Sequence, residues 1–336
     1  MGYTWDDDPA IPDYYGYLDP TAFVTNHRRR MKIFRTDQFQ FPLPAKHYFP
    51  QHKYTLLREA VEAAGFRDLA VPAPATDEQI LRVHSADYLR RVESGQLTAK
   101  EIRRLGLPWS PELVARARRT AGGTIAACRA ALRDGVAVNL AGGTHHASRD
   151  QAQGFCLFND LIIAARAMQA EGRAARVLIL DCDVHQGNGS AALAAGDPTI
   201  FTFSIHNEQN FPLHKEPSDL DIGLNDGTGD AEYLAALEPG LRQSLDLARA
   251  DLAIYLAGVD PHERDLLGRF AMSKNGLAER DRMVLSLCRE AGLPVAVALG
   301  GGYGRRVEES VALHLQTVLV AAEAAGFAKN SNLRVQ

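Results

Sequence analysis

The sequence predicts a single-domain, three-layer α/β/α fold around a central, mainly parallel sheet. Three observations lead there. Short runs of apolar, β-branched residues alternate with helical patterns. Those runs are apolar throughout rather than at every second position, so both faces of the sheet are buried. Finally, His, Asp and Tyr collect just after the runs, at the carboxyl ends of strands, where open α/β sheets bind ligands.

Taken in order, residues 1–30 are rich in Tyr, Asp and Pro without periodicity and read as an extension preceding the domain. "MKIFRT" (31–36) is the first strand. "VAVNLA" (136–141), "VLILDCD" (177–183), "TIFTFSI" (199–205), "DLAIYLAG" (251–258) and "PVAVALG" (294–300) are the later ones. Helical patterns over 158–172, 189–196, 231–250, 276–291 and 306–325 separate or follow them. No repeat and no Ser/Gly linker divides the chain, so one domain is expected over 31–326, with a tail over 327–336.

Composition narrows the function classes. Of 336 residues, 46% are hydrophobic and 23% charged, as in ordinary globular proteins, and the formal net charge of −4 gives no basic footprint for nucleic acid. The one basic run, "HRRR" (27–30), reads as a solvated loop. Cys128, Cys156, Cys182 and Cys288 are widely spaced, form no CxxC and lie in apolar segments, which fits free thiols in a reducing cytoplasm. No stretch is apolar enough to span a membrane, and the acidic start "MGYTWDDDPA" resembles neither a signal peptide nor a myristoylation signal.

The polar clusters carry the chemistry. In "DCDVHQGNG" (181–189), Asp183 and His185 are two apart, so on an extended segment both side chains project to one side and can share a cation. Asp260, which also ends an apolar strand, is the best third ligand. Such an Asp₂His set leaves open positions on Zn²⁺, and it would also hold Fe²⁺. The competing reading is that Asp183 and His185 only cap the helix that opens near Gly189. His145 and His146 sit in the Gly-rich loop "GGTHHAS" (142–148). An imidazole beside a metal can take a proton from water and return it to a leaving amine. Asp181 and Asn188 are candidates for the acceptors that fix the far ring nitrogens. Tyr303, after three glycines in "LGGGYG" (299–304), is suited to donate to a developing oxyanion. That loop lacks the GxGxxG spacing of a dinucleotide site.

These motifs together, with "GFCLFNDLIIAA" (154–165), "SIH" (204–206) and "GVDPHERDLLG" (258–268), resemble the zinc-dependent histone deacetylases of the arginase/deacetylase fold, in family order over about 31–325. Gln186 in "HQGN" and "RTAGGTIAA" (119–127) make the chain most similar to the class IV branch. The resemblance implies Zn²⁺ on Asp183, His185 and Asp260, His146 as general base and then acid, His145 as electrostatic partner, and Tyr303 polarising the acyl carbonyl. It further implies a K⁺ or Na⁺ site at Asp181 and Ser204, completed by backbone carbonyls of Asp183, His185 and Ile205. Gly154 and Phe155 would form one wall of an acyl-lysine tunnel and Phe211 the other. No equivalent is legible of the rim aspartate that grips peptides in class I, nor of the arginine in the acetate-exit channel.

The expected activity is hydrolysis of the amide of an N-acyl lysine or a small N-acyl amine. An acetylpolyamine-type amidohydrolase and a non-catalytic acyl-amine binding protein are the alternatives. A binuclear ureohydrolase of the same fold would want Asp where Gly187 and Gly258 stand.

Overall fold

The computed structural model describes residues 31–326. The expected extension, its basic run at 27–30 and the tail at 327–336 lie outside the described residues.

Eight strands form one sheet: β1 (Lys32–Phe34), β2 (Leu69–Ala70), β3 (Val136–Asn139), β4 (Val177–Asp181), β5 (Ile200–Asn207), β6 (Leu220–Leu224), β7 (Leu252–Gly258) and β8 (Val295–Gly300). Their order is β2-β1-β3-β8-β7-β4-β5-β6, and every pairing is parallel. The continuous apolar runs have the burial they imply. In β4, Leu178 and Leu180 join the core on one face and Val177 and Ile179 the core on the other. Helices α1 (Lys53–Ala63), α8 (Asp230–Ala248), α9 (Lys274–Glu290) and α10 (Val307–Ala324) supply the first core. Helices α5 (Pro111–Asp134) and α6 (Asp160–Ala170) cover the opposite face with the short α2 (Asp77–Leu81), α3 (Ala86–Glu93) and α4 (Ala99–Leu105). The last helix, α7 (Asn188–Ala194), follows β4.

All six expected strands and all five expected helices are present. The run 177–183 overshoots, because β4 stops at Asp181 where its neighbours part. The strands β2 and β6 lie at the two sheet edges. One is too short to read, and the other alternates Leu220, Ile222 and Leu224 with more exposed residues, so it lacks a continuous apolar run.

Candidate active site

The carboxyl ends of β3, β4, β7 and β8 meet at one cavity of about 350 Å³, lined by His145, His146, Asp183, His185, Asp260 and Tyr303. The sharing of this cavity by residues from four strands follows from the sheet order, which places β3-β8-β7-β4 side by side.

After β3, the Gly-rich loop is held by Asp160 at the start of α6. One carboxylate oxygen accepts from the Thr144 amide and hydroxyl at 2.7 and 2.6 Å, and the other accepts from the Gly143 amide and the Thr124 hydroxyl at 3.2 and 2.5 Å. Asn159 donates to the Ala147 carbonyl at 3.1 Å. A turn fixed this way presents both histidines inward. Asp181 and Asn188 stand behind them as the sequence suggests: His145 Nδ1 lies 2.6 Å from Asp181 Oδ2, and His146 Nδ1 lies 2.8 Å from Asn188 Oδ1. The two Nε2 atoms are 3.1 Å apart.

The environments of the two imidazoles differ in sign. Burial alone would lower the His145 pKa, but the carboxylates of Asp181 and Asp183 outweigh it and hold that pKa at about 9. His146 is pushed well below its usual value by burial and then by the charges of His145 and His185, since its own acceptor is a neutral amide. The two rings are thus biased in opposite directions, His145 toward the protonated form and His146 toward the free base.

Asp183, His185 and Asp260 converge, with one ligand atom from each lying within 4.8 Å of the others. His185 Nδ1 is 3.0 Å from Asp183 Oδ1 and 3.4 Å from Asp260 Oδ2. Asp260 Oδ1 accepts from the Val184 amide at 3.0 Å, whereas its Oδ2 is buried without a hydrogen-bond partner. Burial, and then the charge of Asp183, raises the Asp260 pKa. Two buried carboxylates with an orphaned oxygen fit a divalent cation, which would satisfy that oxygen and offset their repulsion. The helix-cap alternative does not hold: α7 begins at Asn188 after Gly187, with no side-chain cap. A Cβ at Gly258 would lie 2.7 Å from Asp183 Oδ2, and one at Gly187 would lie 2.4 Å from Asp181 Oδ2. There is no room for the further carboxylates of a binuclear centre.

After β8, Gly301 and Gly302 take φ of +65° and +86°, which turns the chain so that Tyr303 faces the cavity. The Tyr303 amide donates to Asp265 Oδ2 at 2.6 Å, and buried Lys53 donates to the Gly301 carbonyl at 2.5 Å. Burial, then nearby Tyr54, Asp260 and Asp183, keeps the phenol well above its usual pKa, so it retains its proton as a donor. Gly154 takes φ of +53° against His146, where a Cβ would lie 2.6 Å from the ring. The Phe211 ring stands at 89° to the His146 ring, with centroids 4.9 Å apart, and Phe155 lies 5.7 Å from the Tyr303 ring. Both phenylalanines line the cavity. Asp181 and Ser204 are cross-strand neighbours in β4 and β5, and the Ser204 hydroxyl lies 3.0 Å from His206 Nδ1.

Residues that the sequence did not point to also reach the site. His84 Nδ1 donates to the Ser148 carbonyl at 2.9 Å, and its Nε2 accepts from the Asn159 amide at 3.0 Å, which braces the histidine loop. Arg116 of α5 also lines the cavity, buried, donating to the carbonyls of Thr36 and Phe39 at 3.1 and 3.2 Å and stacked 4.3 Å from the Tyr54 ring. It has no carboxylate partner among the described residues. It stands in "RARR" (116–119) beside Arg118 and Arg119, so nothing in the sequence separates it from a surface position.

A histone deacetylase domain matches residues 47–319. An uncharacterized protein of Picosynechococcus sp. is 45% identical over 81% of this chain and 92% of its own length. A histone deacetylase-like amidohydrolase of Pseudomonas aeruginosa is 29% identical over 79% of this chain and 74% of its own. The crystal structure of a histone deacetylase homologue from Aquifex aeolicus superposes with a TM-score of 0.73 at 24% identity, over 89% of this chain and 84% of that one, and so shares the fold. The chain belongs to the histone deacetylase family, hydrolases of amide C–N bonds. Among the described residues no helix is long and apolar enough to cross a membrane.

Proposed function

We propose that the protein is a zinc-dependent deacylase of class IV type that hydrolyses the amide of an N-acyl lysine or a small N-acyl amine in a reducing cytoplasm. The observation that carries this reading is the paired imidazoles, one backed by the Asp181 carboxylate and the other by the neutral Asn188 amide, sharing a cavity with the buried Asp183, His185 and Asp260 and with Tyr303. Asp183, His185 and Asp260 would hold the ion. Zn²⁺ there, or Fe²⁺ in its place, would polarise the acyl carbonyl and make water more acidic.

The chain's own groups supply the rest. Neutral His146 accepts the proton that the attacking water gives up, then delivers it to the amine as the C–N bond breaks, leaving a carboxylic acid and a free amine. Charged His145, locked to Asp181, stabilises the negative charge that develops. Tyr303 donates to the carbonyl oxygen as it becomes an oxyanion. Phe155 and Phe211 flank the amine stem, and Arg116 receives the departing carboxylate. A K⁺ or Na⁺ beside Asp181 and Ser204 would serve structure only.

Phe49, Tyr54, Leu113 and Ala117 line the same cavity, and this largely apolar wall would suit acyl chains longer than acetyl. A panel of acyl-lysine peptides of graded chain length, run beside acetylated polyamines, tests the reading. At least one member should be cleaved with release of its carboxylate. Tight binding across the panel without turnover by metal-loaded protein would instead indicate an acyl-amine binding protein.

His146→Ala should lower kcat by roughly 10²-fold or more with the metal retained. Asn188→Asp replaces a neutral acceptor by a carboxylate, which raises the His146 pKa, so the free base is lost at higher pH and the acidic limb of the rate profile moves upward. An unmoved limb would separate Asn188 from the proton transfer.

A further inference from the structure

The strands β4 and β7 are paired in parallel, with Asp181 opposite Leu256, and the metal-site residues Asp183 and Asp260 follow their ends. The Cys182 amide donates to the Leu256 carbonyl at 3.1 Å. Parallel pairing repeats every two residues, so the next rungs would run from the Gly258 amide to the Cys182 carbonyl and from the Val184 amide to the Gly258 carbonyl. Neither forms. The Val184 amide turns to Asp260 Oδ1, at 3.0 Å. Both carbonyls instead accept from one atom, Nη1 of Arg280 in α9, at 3.2 Å to Cys182 and 2.5 Å to Gly258.

Arg280 is fully buried, and its Nε and Nη2 donate to Asp281 Oδ1 at 3.0 and 2.8 Å. That oxygen also accepts from the Tyr255 hydroxyl at 2.6 Å, and Oδ2 accepts from the Thr317 hydroxyl at 2.7 Å. A buried ion pair is a poor way to add stability, since desolvating two charges costs about what their attraction returns. Its worth here is geometric. A guanidinium is a planar fork of fixed shape, and this one is aligned by a carboxylate that is itself held from β7 and α10.

We propose that Arg280 is a positioning residue that ends the β4–β7 ladder one rung short of Asp183 and Asp260. It occupies the two carbonyls that would otherwise zip the strands together, and so sets the separation at which the two carboxylates face a single cation. The inference rests on the metal-site reading above.

The test titrates chelator-treated full-length protein with Co²⁺, whose visible spectrum reports coordination geometry, and with Zn²⁺. Three chains are compared: wild type, Arg280→Lys, and Arg280→Met combined with Asp281→Leu, which removes both charges together. The double variant should bind Zn²⁺ at least tenfold more weakly than wild type and show a displaced Co²⁺ spectrum. Arg280→Lys, which retains a charge and donors but not the aligned fork, should fall between. A folded double variant with Zn²⁺ affinity within twofold of wild type and an unchanged spectrum would overturn the proposal, even if its melting temperature fell. Should the double variant not fold, Arg280→Lys decides: an altered spectrum with affinity reduced threefold or more supports the role, and wild-type values refute it. Wild-type protein that takes up neither ion would refute the metal site itself, a result separable from any failure of Arg280.

Discussion

Asp260→Ala is expected to release the metal and to abolish turnover. Asp260 brings to the site the one ligand atom that is buried without a hydrogen-bond partner, so its removal deletes the oxygen with the most to gain from a cation. The charge stabilisation a bound metal supplies amounts to several kcal/mol, and at about 1.4 kcal/mol per factor of ten the loss should be at least roughly 10³-fold in kcat. Asp260→Asn is the control for folding. It keeps an oxygen for the Val184 amide and removes one of two mutually repelling buried carboxylates, so the metal-free variant should melt no lower than metal-free wild type. Metal content after gel filtration, kcat and thermal melts on the three proteins check this. Stoichiometric metal in Asp260→Ala would remove Asp260 from the ligand set.

Tyr303→Phe keeps the ring that packs against Phe155 and removes only the hydroxyl. If that hydroxyl stabilises the oxyanion, kcat should fall by about 10² to 10³-fold, the scale for single oxyanion donors. Substrate affinity and metal content should change little, because the interaction belongs to the transition state. The loop is fixed independently of the hydroxyl, through the Tyr303 amide on Asp265 and Lys53 on the Gly301 carbonyl, so the fold should be unaffected. Measurement of kcat, metal content and melting temperature together distinguishes the role from damage. Full activity in the variant would refute it.

The legible part of the site lies where strand ends carry polar residues in short, tight motifs. Asp183 and His185 announce themselves because a continuous apolar run that stops in charged groups has few structural reasons to do so. The acceptors Asp181 and Asn188 could be named because they flank the ligands within one segment. Residues that act from a distance gave no such signal. Lys53 and Arg116 belong to helices ahead of the sheet's centre and reach the site only through the packing of α1 and α5. Arg280 sits in "AERDRM" (278–283), which reads as a solvated charge run, and only the placement of α9 beneath the ends of β4 and β7 buries it. Burial of a helical charge depends on what covers that face, which local periodicity does not encode.

Stoichiometry measured against activity tests the central claim most directly. Chelator-treated protein, titrated with Zn²⁺ while the cleavage of its best acyl substrate is followed, should be inactive at first and regain activity in proportion to added metal, with a break at one equivalent per chain. Activity that survives complete metal removal would contradict the account, as would a break at two equivalents at the active centre.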